Sequence, residues 1–387
     1  IRFGHRVTRA SWSSAEARWT VEAEAGGETK RFACRYLYLA SGYYDYEQGY
    51  RPVWPGEDDY RGRIVHPQFW PETLDLDGKR VVVIGSGATA VTLVPALAAA
   101  GAAQVTMLQR SPTYIVSRPS RDAIAAWLQR RLPARLADKA VRWKNVLLGI
   151  HFFNRARRKP AKVKRAILDL AAKDLPPGYD VARDFSPLYD PWDQRLCLVP
   201  DGDLFAGIRE GRIAIATDTI ERFTPEGLRL ASGAELAADV VVTATGLVVR
   251  LLGGIALEVD GEPVEVADRL AYKGMMLGGV PNLVLAFGYT NASWTLKSDL
   301  TARWFCRLVR HMDRRGHQIC VAEPPPEPVE RQPMLDFSSG YVQRADPFLP
   351  KQGPKAPWRV HQNYLKDLAA LRFARIDGGA MAFRRTG

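Results

Sequence analysis

Residues 81–90 read Val-Val-Val-Ile-Gly-Ser-Gly-Ala-Thr-Ala, and this stretch decides the fold. Four consecutive apolar residues followed by glycine are typical of a strand buried on both faces of a parallel sheet. The glycines have the Gly-x-Gly-x-x-Ala form of a turn that leads from a strand into a helix and binds a dinucleotide pyrophosphate. Gly85 permits the tight turn, Gly87 leaves room for the phosphates, and Ala90 lets the helix pack closely on the strand.

This turn predicts a phosphate site made of backbone amides at the start of a helix, where the helix dipole also favours negative charge. The residues expected in it are Gly85, Ser86, Gly87, Ala88 and Thr89. The next strand, Gln104–Leu108, ends before Arg110 and Ser111, at the place where an NAD-binding unit has an acid for the ribose 2′-hydroxyl. A cation and a hydroxyl suit a 2′-phosphate instead, so NADPH is predicted over NADH. The alternative for Arg110 is an ordinary surface charge.

Length and composition indicate a globular enzyme of two or three domains, since 47% of the 387 residues are hydrophobic and 25% are charged. No apolar run reaches the roughly 18 residues that cross a bilayer. The cysteines are far apart and fit a reducing cytoplasm, with no metal site. They are Cys34, Cys197, Cys306 and Cys320. Because the chain begins with Ile1 in a segment that alternates like the middle of a domain, we expect a fragment that lacks its N-terminal part.

Basic residues are concentrated in residues 118–165, which carry fifteen Lys or Arg against Asp122 and Asp138. The remainder of the chain is close to neutral although the whole carries +12. A solvated helical face is one interpretation, and peripheral contact with a membrane is another, because Trp127 and Trp143 supply an apolar side. No nucleic-acid recognition motif accompanies the charge, so a nucleic-acid partner is not expected.

Two other apolar stretches share a pattern in which the strand ends in a small residue followed by glycine. They are Leu37–Gly42 and Ala238–Gly246, which predict cofactor-binding turns at Ser41 and Gly42 and at Thr245 and Gly246. Such an internal repeat is expected if the chain contains two dinucleotide-binding domains. Helices are predicted over 119–175, with breaks at Pro133 and Pro160, and over Asn291–Arg314.

A second motif, in residues 60–71, identifies a family. Tyr60, Gly62, His66, Trp70 and Pro71 follow the pattern of an aromatic residue, then x-Gly-x-x-x-His-x-x-x-Trp-Pro. This resembles the signature of the flavin-dependent Baeyer–Villiger monooxygenases, in which the first residue is usually Phe. The likeness extends through further stretches and is strongest to the branch that includes a thioamide-prodrug activator. These stretches are residues 41–46, 191–197, 273–276 and 288–297.

The resemblance implies an α/β fold with two Rossmann-like domains of the FAD/NAD(P)-binding type and a helical insertion, the first domain being truncated at its N-terminus. The expected division is 1–71 for the remainder of the FAD-binding domain and the linker, 72–117 with 186–246 for the NADPH-binding domain, 118–185 for the basic insertion, and 247–387 for the rest of the FAD-binding domain and the tail. The family's first glycine fingerprint, which binds the FAD pyrophosphate, is not found in the chain. We therefore expect the isolated chain to bind FAD poorly.

The resemblance also implies a reaction in which NADPH reduces FAD and O2 then forms a C4a-peroxyflavin. One oxygen is inserted into a ketone, giving an ester or lactone, or is added to a sulfide. Arg195 matches the arginine that supplies a positive charge beside the peroxide, with a structural salt bridge as the alternative. His66 is expected to couple domain motion to nicotinamide placement, or to serve only as a hydrogen-bonded linker residue. Gly62 is expected to supply a turn.

Two further expectations follow from the same likeness. Trp70 and Pro71 should anchor the linker by packing. Asn291 and Ala292 should open a helix whose N-terminus faces the reduced flavin, or Asn291 should be a plain N-cap. An N- or S-oxygenating flavoprotein of the same superfamily is the closest alternative function, and a catalytically inactive NADPH-fold protein associated with a membrane surface is the more distant one. A cytoplasmic location is expected in either case, with or without membrane association.

Overall fold

The computed structural model describes residues 1–386. The first strands are β1 Arg6–Ser13, β2 Arg18–Ala25, β3 Glu28–Cys34, β4 Leu37–Leu39, β5 Tyr44–Gly49, β6 Arg63–Val65, β7 Arg80–Ile84, β8 Gln104–Gln109, β9 Ile115–Arg118, β10 Cys197–Pro200, β11 Ile213–Thr217, β12 Ile220–Thr224, β13 Gly227–Leu230, β14 Glu235–Ala237 and β15 Val240–Thr243. The later strands are β16 Leu247–Val249, β17 Ala256–Val259, β18 Glu262–Pro263, β19 Ala271–Tyr272, β20 Met276–Leu277, β21 Leu283–Leu285, β22 Ile319–Ala322, β23 Gln332–Pro333, β24 Lys351–Gln352 and β25 Met381–Arg384. The α-helices are α1 Ala88–Ala99, α2 Ala123–Arg131, α3 Ala134–Arg158, α4 Pro160–Asp174, α5 Val181–Phe185, α6 Asp203–Arg209, α7 Trp294–Arg315, α8 Gly340–Ala345 and α9 Tyr364–Leu368.

The chain forms two compact units, the first made of residues 1–46 and 249–387 and the second of residues 47–248. Residues 47–71, expected in the first domain, lie in the second unit. The reason is that β6 pairs in parallel with β15, Arg63 opposite Val240 and Val65 opposite Val242. The family motif is therefore built into the edge of a sheet and does not form a free linker.

The second unit is organised around a five-stranded sheet in the order β11-β8-β7-β15-β6. Every neighbouring pair in it is parallel. In β7, the residues from Val81 to Ile84 are all buried, as expected of a central strand covered on both faces. Helix α1 connects β7 to β8 and packs its buried residues Val91 and Val94 into the main core of this unit.

The insertion consists of α2, α3 and α4, and its breaks fall at Pro133 and Pro160 as predicted. Helix α4 anchors it, because Val163 and Ile167 pack with Tyr114 and Leu196 in one buried cluster. Within residues 1–386, no helix combines the length and the apolar character that a membrane span requires.

The first unit contains a mixed sheet in the order β18-β17-β1-β2-β3, which packs the rings of Trp12 and Trp19 at 5.6 Å. A separate parallel pair joins β4 to β21, with Leu39 opposite Leu285. Helix α7 begins at Trp294, three residues later than predicted. The tail adds α8, which sequence periodicity did not reveal because six residues are too few to show it.

Candidate cofactor and active site

Four predicted site segments meet at the carboxyl edge of the five-stranded sheet. Gly85 follows β7, Thr245 and Gly246 follow β15, His66 follows β6, and Arg110 follows β8. Parallel strands end on the same side, so these segments lie together although up to 180 residues separate them. The chain runs outward from β7 to β8 and β11 on one side, whereas β15 and β6 lie on the other. A crevice of this kind, where the strand order reverses, is where open α/β sheets bind ligands.

The glycine turn has the geometry that a pyrophosphate needs. Gly85 has φ of +135°, and a Cβ built there would lie 2.3 Å from the Ala244 carbonyl oxygen. A Cβ on Gly87 would meet nothing within 4 Å, so the space above the turn is open. Helix α1 starts directly after it without a side-chain cap, which leaves the amides of its first turn available to an anion. These residues fit a dinucleotide diphosphate.

Arg110 and Ser111 are both exposed beyond the end of β8. The Ser86 hydroxyl donates a hydrogen bond to the Ser111 carbonyl oxygen at 3.0 Å, which ties the loop after β8 to the glycine turn. An exposed guanidinium held beside a phosphate-binding turn suits a 2′-phosphate, and no carboxylate stands in the segment to repel one.

Sequence reasoning missed a buried polar network under this loop. The Gln109 amide donates to the Asp184 carbonyl oxygen and to the Thr217 hydroxyl, both at 2.8 Å. The Asp184 carboxylate accepts from Thr217 at 2.7 Å, from Tyr179 at 2.9 Å and from Arg183 at 2.7 and 2.9 Å. Burial alone would raise the Asp184 pKa, but these hydrogen bonds outweigh it and lower the pKa. Glutamine at an inward strand position was a signal for the network; Asp184, 75 residues away, gave none.

His66 is half-buried at the end of β6. Its ring fills the space that Gly49 leaves open, since a Cβ there would lie 1.9 Å from the His66 Cε1 atom. Nδ1 accepts a hydrogen bond from the Gln68 amide at 3.2 Å. Burial lowers the pKa of His66, while the nearby Gly246 carbonyl opposes that shift. The neutral ring is therefore favoured at neutral pH, next to the turn that follows β15.

The remaining motif residues divide into buried and exposed ones. The Tyr60 hydroxyl donates to the Ala238 carbonyl oxygen at 3.0 Å, and burial raises its pKa to about 12. Gly62 lies at a bend just before β6; a Cβ there would lie 2.2 Å from the Tyr60 hydroxyl and 2.7 Å from the Asp239 carbonyl oxygen, so this close approach requires glycine. Trp70 is 38% exposed, and its role with Pro71 as an anchor of the segment stays a prediction.

Arg195 lies just before β10, after a turn in which Trp192 has φ of +75°. The side chain is exposed, and it makes no hydrogen bond or ion pair within residues 1–386. The alternative of a structural salt bridge is thus not observed. An exposed, unpaired guanidinium remains available to an anionic group.

In the first unit, two predicted loops follow neighbouring parallel strands. Ser41 and Gly42 come after β4, and Asn291 and Ala292 come after β21 and before α7. The Asn291 side-chain amide donates to the Gln362 carbonyl oxygen at 2.9 Å, and Ser293 occupies the N-cap position, so Asn291 is not the N-cap. These loops fit part of a flavin site. No glycine-rich strand–turn–helix for its pyrophosphate occurs in residues 1–46 or 249–386.

A buried ion pair supports the loop before α7. Lys297 and Asp367 are almost completely buried, and the Lys297 Nζ atom lies 2.7 Å from Asp367 Oδ2. The Tyr289 hydroxyl donates to the same oxygen at 2.7 Å. Burial lowers the pKa of Lys297, and Asp367 opposes that shift. Lys297 belongs to the family-like stretch, but its partner lies 70 residues away and carried no signal.

Comparison with known proteins agrees with this architecture. Residues 3–137 match the family described as flavin-binding monooxygenase-like. The chain is 53% identical over 385 residues to the FAD-containing monooxygenase EthA of Mycobacterium tuberculosis, covering all of this chain and 79% of the relative. It is 43% identical over 389 residues to the probable FAD-binding monooxygenase AlmA of an Acinetobacter species, covering all of this chain and 78% of that relative.

The chain belongs to the flavin-dependent monooxygenases of the Baeyer–Villiger type. An oxidized steroid monooxygenase bound to NADP has the same fold, with a TM-score of 0.73 at 20% identity over the whole of this chain and 81% of that one. The predictions of the family, of an enzyme and of the α/β dinucleotide-binding fold are confirmed.

Proposed function

We propose that this chain forms the NADPH site and part of the FAD site of a monooxygenase that oxygenates ketones or sulfides with O2. The observation that carries the proposal is the open turn at Gly85–Thr89, placed beside Arg110, Thr245 and His66 at one sheet edge. NADPH supplies a hydride, and FAD supplies the oxygen chemistry when both are bound.

Each residue at this edge has a separate task. The amides after Gly85 hold the diphosphate, and Arg110 and Ser111 hold the 2′-phosphate, so the cofactor is fixed at its adenosine end. His66, held by Gln68 and Gly49, positions the nicotinamide end together with Thr245 and Gly246. These are positioning roles, because hydride transfer requires no proton from a side chain.

In the first unit, the loops at Ser41–Gly42 and Asn291–Ala292 would hold part of the flavin. The positive end of helix α7 favours negative charge on the reduced flavin. Arg195 is an exposed guanidinium without an ion-pair partner in residues 1–386, and it would stabilise anionic charge on oxygen in the reaction.

Calorimetry with NADPH and NADH tests the cofactor assignment. Arg110→Ala should weaken NADPH binding at least tenfold and leave the weaker NADH binding unchanged, since one charge-assisted phosphate contact is lost. Lys79→Ala is the matched control, because it removes a cation just before β7, at the opposite edge of the same sheet. An unchanged NADPH/NADH preference in Arg110→Ala would disprove the assignment.

Arg195→Ala tests the catalytic role in assays that supply free FAD in large excess, because the chain alone is expected to bind FAD poorly. Flavin reduction by NADPH, measured as the loss of flavin absorbance, should be retained. Formation of the oxygenated ketone or sulfide product should cease. Product formation at the wild-type rate would remove Arg195 from the mechanism. Parallel assays with a ketone and a sulfide also distinguish insertion of oxygen into a carbon–carbon bond from oxygenation of sulfur.

A further inference from the structure

The helices α2 and α3 form an exposed surface that the proposed redox chemistry does not use. Helix α2 buries none of its residues, and the 25-residue helix α3 buries only Ala137, Val146 and Ala156. The insertion is docked by Val163 and Ile167 of α4 and by the C-terminal end of α3, where Ala156 joins the same buried cluster. We refer to the outward faces of residues 123–158 as the α2–α3 surface.

Large apolar side chains lie on this surface in contact with solvent. On α2, Ile124 is 56% exposed and Trp127 is 52% exposed. On α3, Leu136, Trp143 and Leu147 are all exposed, and their spacing of seven and four residues places them along one face of the helix. Single exposed apolar residues are normal on a protein surface, but a contiguous row of large ones is typical of an interaction site.

Cations surround the apolar stripe, and almost no acid offsets them. Arg131, Lys139 and Arg158 are exposed on α2 and α3, within a segment that holds fifteen basic residues and two acidic ones. One of those acids, Asp122, is already paired with Lys144 and caps the first turn of α2 through the Ala125 amide. The surface is therefore both apolar and strongly cationic.

We propose that the α2–α3 surface binds an anionic lipid bilayer, with its cations at the lipid phosphates and Trp127, Trp143 and Leu147 inserted between headgroups. Lys and Arg side chains are attracted to the surface charge of an anionic membrane, and exposed tryptophan and leucine side chains beside them can enter its interface. A nucleic acid would use the cations but leave the tryptophan and leucine stripe in water. A second copy of the chain would bring two faces of the same charge together.

The test uses the full chain and vesicles of phosphatidylcholine, either pure or mixed with phosphatidylglycerol. Wild-type protein should sediment with the mixed vesicles at low salt and much less at high salt or with pure phosphatidylcholine. The triple variant Arg131→Gln/Lys139→Gln/Arg158→Gln should reduce the partition coefficient at least tenfold. A matched triple variant of exposed cations elsewhere, Lys30→Gln/Arg314→Gln/Lys355→Gln, should change it less than threefold.

Insertion is tested separately with brominated lipids, which quench tryptophan fluorescence on contact. Wild-type fluorescence should be quenched, and Trp127→Phe/Trp143→Phe should lose most of that quenching although the other eight tryptophans remain. Leu147→Ser should weaken binding severalfold, while Val53→Ser, at a more exposed site outside the surface, should not.

Three results would overturn the proposal. The first is equal vesicle binding by the two triple variants. The second is binding to duplex DNA at least as strong as to the mixed vesicles, with no quenching by brominated lipid. The third is a concentration-dependent dimer of the wild type that Leu147→Ser abolishes, which would assign the surface to self-association.

Discussion

Glycine at position 85 is set by backbone geometry, whereas glycine at position 87 is set by the ligand. Gly85 combines φ of +135° with a Cβ position 2.3 Å from a backbone oxygen, and Gly87 has an ordinary φ of −76° with open space around it. Identical residues two positions apart therefore have different reasons to be glycine.

This difference predicts opposite outcomes for two alanine variants. Gly85→Ala should lower the free energy of unfolding by about 2–3 kcal/mol, because the cost of a positive φ for alanine and the cost of the clash with the Ala244 carbonyl oxygen add together. Gly87→Ala should unfold within about 0.5 kcal/mol of wild type yet lose NADPH affinity, because its methyl group occupies the phosphate space. Urea denaturation and calorimetry measure the two quantities. Equal stability of both variants would contradict the geometric argument.

The buried pair of Lys297 and Asp367 gives a second prediction at this scale. Asp367→Asn should cost about 3–5 kcal/mol of unfolding free energy, because it leaves the Lys297 charge buried without a counter-charge. Glu235→Gln breaks the exposed ion pair with Arg229 and should cost less than about 1 kcal/mol. Urea denaturation at neutral pH distinguishes the two, and similar losses would show that Lys297 is solvated in solution.

At the scale of elements, the Asp184 network ties α5 to the ends of β8 and β11. Gln109 and Thr217 belong to those strands, and both bond to Asp184. The loop that carries Arg110 therefore starts from a fixed strand end. Protonation of the Asp184 carboxylate should therefore weaken the contacts of both strands and of α5 at the same time.

The pKa of Asp184 is lowered in the folded chain, so its hydrogen bonds add stability above the ordinary aspartate pKa near 4, and this stability is lost as pH falls through the folded value. Asp184→Asn should therefore be less stable than wild type at pH 7 by about 1–3 kcal/mol, with the difference shrinking below pH 4. Urea denaturation as a function of pH checks this prediction. A difference that stays constant down to pH 3 would mean that the carboxylate contributes no charge-dependent stability.

At the scale of the whole molecule, the second unit is one continuous stretch of chain, whereas the first is assembled from two separated stretches. The second unit also contains its own parallel sheet, its helices and a buried core. A continuous segment with its own core is expected to fold alone.

Residues 47–248 expressed alone should therefore unfold cooperatively and bind NADPH within about threefold of the full chain. Circular dichroism, thermal denaturation and calorimetry measure this. The same segment carrying Arg110→Ala serves as the binding control. A non-cooperative transition would show that the first unit is needed to complete the core, and a folded segment without NADPH affinity would show that the cofactor requires residues from outside it.

Local pattern alone determined the parts of this protein that depend on neighbouring residues. The apolar run before Gly85, the breaks at Pro133 and Pro160, and the motif from Tyr60 to Pro71 predicted a parallel dinucleotide-binding sheet, the helical insertion and the family. These signals are carried by short-range backbone preferences, which act over a few residues.

Only the tertiary structure decided which distant residues meet. Asp184 meets Gln109, Asp367 meets Lys297, and the Tyr60 hydroxyl meets the Ala238 carbonyl oxygen, all in buried surroundings where an unpaired polar group is costly. Side-chain contacts across 70 or more residues depend on how strands are ordered in space, and no local pattern of residue types records that order.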